Sequence, residues 1–235
     1  MSTPHLAGVP AFTHPAGTGP VHTAVDPQLQ ARIDRLGAAA ALRELIEPMR
    51  VGLASHVADP MATNTRSSYV GWIRRQANAW TTVPMPAVHI ASLDWPLSSV
   101  RPQCLDVVGL LLADLRELSP GSRPTAVPGQ AGQQEPVQVE ECIAAAQTSI
   151  TVAVLAAPGL AAARRLTEGL TRTGPATRYL ERCVELGERV DGFSRELDGW
   201  AVTAGPERVQ HTMLLARELL TSLFVALDTG RRTGW

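Results

Sequence analysis

The residues of this chain best suited to binding chemistry lie between positions 60 and 93. This segment contains no Asp or Glu, although arginine, histidine and large aromatic residues recur along it. Guanidinium groups interleaved with aromatic rings can bind a phosphate, a carboxylate or a stacked base. The candidate docking residues are Arg66, Tyr69, Trp72, Arg74, Arg75, Trp80 and His89. The alternative is that the aromatic rings face the core while the arginines form a solvated edge.

A second group of ionisable residues follows one face of a predicted helix. Glu181, Glu185 and Glu188 recur at spacings of four and three, which places them on one side of a helix. Two-metal carboxylate sites in bundles also need a Glu-x-x-His pair on each of two helices, and the chain contains no such pair. Arginines within one turn favour a salt-bridged surface instead. The sequence therefore predicts no metal site and no cofactor.

Two histidines and one pair of glutamates are the remaining candidates for acid–base chemistry. His56 and His211 lie in predicted helices beside apolar residues. A catalytic His needs a pocket that tunes its pKa. A histidine that is hydrogen-bonded in the core, or that lies on a polar flank of its helix, needs no such pocket. The sequence favours this structural role for both histidines. Glu44 and Glu47 lie beside Pro48, where a helix kink could open a small cavity.

The basic residues exclude several classes of enzyme. All 21 of them are arginine, so the chain has no lysine for a Schiff base, for pyridoxal phosphate or for a Walker motif. A G+C-rich bacterial genome would account for this bias. The chain also lacks the Gly-x-Ser-x-Gly, Gly-x-Gly-x-x-Gly and His-Glu-x-x-His motifs of hydrolases, dinucleotide-binding proteins and zinc proteases.

Aliphatic residues that recur with a period near 3.6 predict helices along most of the chain. Prolines and glycines bound these segments, and Pro48 is predicted to kink or split the first of them. The predicted helices cover about 26–57, 65–80, 102–118, 136–156, 158–171, 175–202 and 206–228. The β-branched stretch 148–154 has helical flanks and is assigned to a helix. The predicted fold is an all-α antiparallel helical bundle of six or seven helices.

Composition predicts one globular domain with a tail. The chain is 45% hydrophobic and 18% charged, which is typical of a globular protein. Residues 1–25 are rich in Pro and Gly and show no regular period, so we expect a disordered tail. Residues 26–230 are predicted to form a single helical bundle domain, with a long loop at 119–135 where Pro and Gly cluster.

The sequence also predicts a cytoplasmic location. Cys104, Cys142 and Cys183 are too far apart in sequence for a metal or redox motif, which favours reduced thiols. No signal peptide and no membrane span are predicted. The formal net charge of −1 makes a nucleic-acid partner a weak alternative.

These observations favour a non-catalytic protein-interaction or regulatory module. Its partner would be another protein or a second copy of the chain. The alternative is a binding protein or enzyme for a small acidic or aromatic molecule, with an inter-helix pocket that includes Trp72, Arg74, Arg75 and His89. A DNA-binding regulator is a third possibility.

Overall fold

Helices supply all the regular structure in the computed structural model, which describes residues 25–58, 65–83, 95–100, 106–119, 138–169 and 176–233. No strand occurs in these ranges, which confirms the all-α prediction. The helices are α1 (Pro27–Leu36), α2 (Ala38–Ala58), α3 (Arg66–Thr82), α4 (Val107–Leu118), α5 (Val139–Ala156), α6 (Leu160–Thr167), α7 (Arg178–Glu188), α8 (Val190–Ala204) and α9 (Pro206–Thr233). A 3-10 turn, Ala157–Gly159, links α5 to α6. The predicted tail up to residue 24 and the predicted loop beyond Ser119 lie outside the described residues.

The first helices begin where the sequence provides a capping side chain. Asp26 accepts a hydrogen bond from the backbone N–H of Gln28 at 2.8 Å. Pro27 fills the first helical position, where a backbone N–H has no partner within the helix. Thr65 caps α3, which begins one residue after the predicted start at 65. The next helix, α4, has Asp106 as its cap, and the predicted start at about 102 lies outside the described residues.

The first predicted helix is divided at Gly37 and not at Pro48. Gly37 has a φ of 84° between α1 and α2, a conformation that favours glycine. A Cβ atom at this position would lie 3.1 Å from Oδ1 of Asp198. The 21-residue helix α2 continues through Pro48, so the predicted split at the proline is wrong. Buried Ile46 and Leu53 on either side of it stabilise the helix across the lost hydrogen bond.

A second division falls inside the helix predicted over 175–202. Arg189 separates α7 from α8 with φ −96° and ψ 0°, and its guanidinium donates a hydrogen bond to the carbonyl of Ser99 at 3.2 Å. The apolar stripe continues across the division, since Leu186 and Phe193 are both buried. Hydrophobic periodicity therefore predicts one helix where the backbone forms two. These two divisions account for the helices beyond the predicted number.

α5 is the central helix of the described core. Thirteen of its 18 residues are buried, and it packs mainly against α9 and α7. The stretch Val139–Thr167 is long and apolar enough to span a membrane, but 67% of its apolar window is buried inside the protein. Such burial fits the core helix of a soluble protein. Helices that precede and follow the predicted loop at 119–135 contribute to one cluster of buried side chains.

Two helices begin at carboxylates that other helices supply. Asp198 of α8 accepts a hydrogen bond from the N–H of Ala39 in α2 at 2.9 Å. Asp114 of α4 is fully buried and accepts from the N–H groups of Arg178 at 3.1 Å and Tyr179 at 3.0 Å. Burial raises the pKa of the Asp114 carboxyl, while these N–H groups and the Arg178 guanidinium act in the opposite direction. The two carboxylates fix where α2 and α7 begin relative to the rest of the bundle.

Candidate functional site

The aromatic side chains of the candidate docking segment lie in the core. Tyr69, Trp72 and Trp80 are at most 1% exposed, because spacings of three and eight residues place them on one stripe of α3. The Trp72 ring lies 6.0 Å from the Tyr69 ring and 5.8 Å from the Tyr179 ring, centroid to centroid. The Tyr69 hydroxyl donates a hydrogen bond to the carbonyl of Ala176 at 3.2 Å. These rings pack α3 against the start of α7 and offer no surface for stacking a base.

The arginines of the same segment point away from these rings. Arg66 and Arg74 are exposed, and Arg75 is half-buried. Arg66 donates a hydrogen bond to the carbonyl of Leu118 at 3.4 Å. His89 lies outside the described residues. The structure therefore does not bring the aromatic and cationic members of the candidate set together on one surface.

The polar groups buried beside Trp72 are not poised for catalysis. Burial raises the pKa of the Cys183 thiol to about 12, so the thiol stays protonated at neutral pH and is a poor nucleophile. Burial also raises the pKa of Tyr179 well above its ordinary value. Gln76 is fully buried, and neither of its amide atoms has a hydrogen-bond partner among the described residues. Gln76 therefore lowers the stability of the core.

Replacing Gln76 with methionine is expected to raise the free energy of unfolding by about 1–3 kcal/mol, because a buried amide without partners costs about that much. Methionine is similar in length and adapts to irregular space. The matched control is Gln210→Met, since Gln210 is also buried but bonds to both Asp26 and Gln30; it should destabilise. Urea denaturation measures both variants, and a destabilising Gln76→Met would show that a polar group satisfies this amide.

His56 is held by packing contacts between α2 and α9. Its ring meets the edge of Phe224 with centroids 5.4 Å apart, and its Nε2 atom lies 4.0 Å from Oδ1 of Asp228. Only 8% of the His56 side chain is exposed, so a substrate has little access to it. His211 is partly buried on α9. These contacts favour a packing role for His56 over a general base.

The candidate carboxylates beside Pro48 are paired with arginine. Glu47 accepts two hydrogen bonds from Arg50 at 2.6 Å, and these bonds lower the pKa of Glu47. Glu44 lies 3.7 Å from Arg32. The lowered pKa of Glu47 keeps this carboxylate ionised near neutral pH, which disfavours a role as general acid.

The acidic face of α7 is a salt-bridged surface, as the sequence predicts. Glu181 pairs with Arg164 at 3.0 Å, and Glu185 pairs with Arg182 at 3.1 Å. Glu188 is exposed. In the part of the chain that the structure describes, no group of three or more His, Cys, Asp or Glu side chains could hold a metal ion.

A groove of about 830 Å³ runs between α3 and α9. From α3 it is lined by Arg75, Asn78, Ala79 and Thr82, and from α9 by residues between Leu214 and Gly230. The 17 residues from Leu214 to Gly230 are separated by 16 helical steps of about 1.5 Å, so this wall of the groove is about 24 Å long. The groove is half-open, and its walls are mainly apolar. Its shape therefore suits an elongated occupant.

Exposed apolar and charged side chains lie side by side in this groove. Leu214 is 42% exposed and Val225 is 54% exposed. Arg217 and Glu218 are exposed between them, and Arg75 lines the groove from α3. None of these three charged side chains has an ion-pair partner among the described residues. The groove can therefore accept both an apolar contact and a new ion pair.

The sequence interpretation missed the α9 half of this groove. The buried stripe of α9 repeats at alternating spacings of four and three, and its members are Val209, Met213, Ala216, Leu220, Leu223 and Leu227. Leu214 and Val225 fall outside that stripe. Their position was the signal in the sequence that α9 has an exposed apolar face. Neither residue is conspicuous alone, because single exposed aliphatic residues are common on protein surfaces.

Comparisons with protein-family models, curated proteins and solved structures found no match to this chain. Its function must therefore be inferred from the chemistry of its own residues. The α3–α9 groove combines exposed apolar area with charged groups that lack ion-pair partners among the described residues.

Proposed function

We propose that this protein is a non-catalytic interaction module whose α3–α9 groove receives an amphipathic helix of a protein partner. The groove is the main support for this proposal, because it has a volume of about 830 Å³ and exposes the side chains of Leu214 and Val225 in one channel. Recognition of a helix in a groove depends on an open apolar channel several turns long. An amphipathic helix would cover both aliphatic side chains and leave its polar face in water.

The ionisable groups support binding over reaction. The Cys183 thiol is protonated and buried, and Glu47 and Glu181 are engaged by arginine. A catalytic site needs a nucleophile or base that a substrate can reach. Cys183, Glu47 and Glu181 are therefore buried or paired, whereas the groove offers accessible apolar surface.

A small acidic or aromatic molecule is the second candidate occupant. The volume of about 830 Å³ lies within the range of about 300–1,000 Å³ that is usual for ligand pockets. The Arg75 and Arg217 guanidinium groups could pair with a carboxylate. A thermal-shift screen of carboxylates tests this candidate, because a ligand raises the melting temperature by mass action. The shift should vanish in an Arg75→Ala variant.

We also propose that the protein is cytoplasmic. Cys142 and Cys183 are free and buried, which supports a reducing compartment. The burial of α5 supports a soluble protein. Fractionation of cells of the source organism tests the location.

A photo-crosslinking side chain at Thr221 tests the proposed function. Thr221 is exposed in the groove, so we expect a covalent adduct with a protein in cells of the source organism. The same side chain at exposed Glu185 on α7 is the positional control. Adding Val225→Glu should reduce the Thr221 adduct at least about tenfold, since a charge enters the apolar channel.

The matched control for Val225→Glu is Val202→Glu. Val202 is 86% exposed on α8 and does not line the groove, so this variant should keep the adduct. Circular dichroism checks that both variants are folded. The proposed function is wrong if Thr221 gives no protein adduct, or if the adduct survives Val225→Glu.

A further inference from the structure

The charged side chains that line the α3–α9 groove are positive on balance. Among the thirteen residues of the lining, Arg75 and Arg217 are basic, Glu218 is acidic and the others are uncharged. Two positive groups and one negative group give the groove a formal charge of +1, whereas the whole chain has a formal charge of −1. The positive charge is therefore a local property of the groove.

The two arginines lie on opposite edges of the apolar channel. Arg75 belongs to α3, which forms one wall of the groove. Arg217 lies seven residues before Phe224 on α9, a spacing that places both on the same side of the helix. The Phe224 ring packs against the ring of His56 in α2, so Arg217 is on the edge of α9 towards α2. The channel therefore has a cation on each edge.

Both guanidinium groups would lose water when a helix enters the channel. Neither Arg75 nor Arg217 has an ion-pair partner among the described residues. Covering a cation without a partner costs free energy, because the charge loses its hydration and gains no compensating contact. An occupant that supplies a carboxylate at each edge offsets this cost, whereas a neutral or basic occupant does not.

We infer that the partner of the groove is an acidic amphipathic helix, with Asp or Glu residues on both flanks of its aliphatic stripe. The inference rests on the proposed function, in which the groove binds a helix of another protein. The aliphatic stripe covers Leu214 and Val225, and the acidic flanks pair with Arg75 and Arg217. Because contacts between a guanidinium and a carboxylate are directional, a pair at each edge also fixes how the helix is rotated about its own axis.

Charge reversal tests the inference in the full-length chain with the photo-crosslinking side chain at Thr221. Arg75→Glu and Arg217→Glu should each lower the yield of adduct about three- to tenfold, because each places a carboxylate opposite an acidic flank. Glu218→Arg changes the charge next to Arg217 in the opposite direction, so it should raise the yield. Arg74→Glu is the matched control, since exposed Arg74 does not line the groove and should leave the yield unchanged.

Mass spectrometry of the adduct gives the charge of the partner directly. The segment attached at position 221 should have the periodicity of an amphipathic helix and a negative net charge. Circular dichroism of each variant shows whether it is folded, so that a lower yield can be assigned to the groove.

Three results would overturn the inference. An adduct that survives both Arg75→Glu and Arg217→Glu shows that the arginines do not contact the partner. A Glu218→Arg variant that loses as much adduct as Arg217→Glu shows that the substitutions disturb shape and not charge. An attached segment that is neutral or basic, or that comes from a second copy of this chain, identifies a different occupant. In each case the groove still binds a protein, whereas the absence of any adduct removes the proposed function and this inference with it.

Discussion

An Asp114→Ala variant is expected to lose about 3–5 kcal/mol of unfolding free energy, because it leaves two backbone N–H donors of α7 without partners, at about 1–3 kcal/mol each, and removes the ion pair with the partly exposed Arg178. The Asp114 side chain is fully buried and lies 3.4 Å from the Arg178 guanidinium. Its two oxygens also accept the N–H groups of Arg178 and Tyr179. Without the carboxylate, the first turn of α7 has two backbone donors without partners. Urea denaturation followed by circular dichroism measures the loss.

Asp106→Ala is the control that separates burial from capping. Asp106 accepts a hydrogen bond from the N–H of Gly109 at the start of its own helix, but it is exposed. Loss of an exposed cap costs about 1 kcal/mol. If both variants lost the same free energy, Asp114 would act only as a local cap. The larger loss in Asp114→Ala would show that it holds α4 and α7 together.

The contrast between a local cap and a cap supplied by a distant helix also shows which helix starts could be predicted from the sequence. Asp26 and Thr65 cap helices that begin within a few residues of them, and such local signals can be recognised in a sequence. Asp114 caps a helix 64 residues further along the chain, and Asp198 caps one that begins 159 residues earlier. No sequence pattern links these positions, because the contacts depend on how the helices pack. The all-α class was predictable from periodicity, whereas the geometry of α2 and α7 was not.

The candidate site was predictable only in part, for a similar reason. The sequence identified the aromatic and arginine residues of α3 but left open whether they face a partner or the core. The groove needs two helices, and its apolar residues on α9, Leu214 and Val225, are about 140 positions from Arg75 in the sequence. Their proximity to α3 depends on the packing of α9 against α3. A single sequence contains no direct signal for that packing.

A Trp72→Ala variant is expected to lose about 3–5 kcal/mol of unfolding free energy, as is usual when a buried tryptophan is truncated. Trp72 is fully buried and contacts the rings of Tyr69 and Tyr179, so alanine leaves a cavity between α3 and α7. Trp72→Phe should lose less, because it keeps an aromatic ring and removes an indole N–H that has no partner among the described residues. Arg74→Ala, at an exposed position of the same helix, should change stability by less than about 0.5 kcal/mol.

The Trp72→Phe variant separates the two interpretations of the candidate segment, in which Trp72 is either a core residue or a docking residue. If Trp72 is a core residue, Trp72→Phe should lower stability and leave the Thr221 adduct intact, because Trp72 does not line the groove. If Trp72 were a docking residue, Trp72→Phe would reduce the adduct while stability stayed near the wild-type value. Measuring both the stability and the adduct yield of this variant decides between the two interpretations. A buried Trp72 predicts a change in stability, whereas an exposed docking Trp72 predicts a change in adduct yield. The zero exposure of Trp72 favours the core role, which leaves the partner surface to the groove.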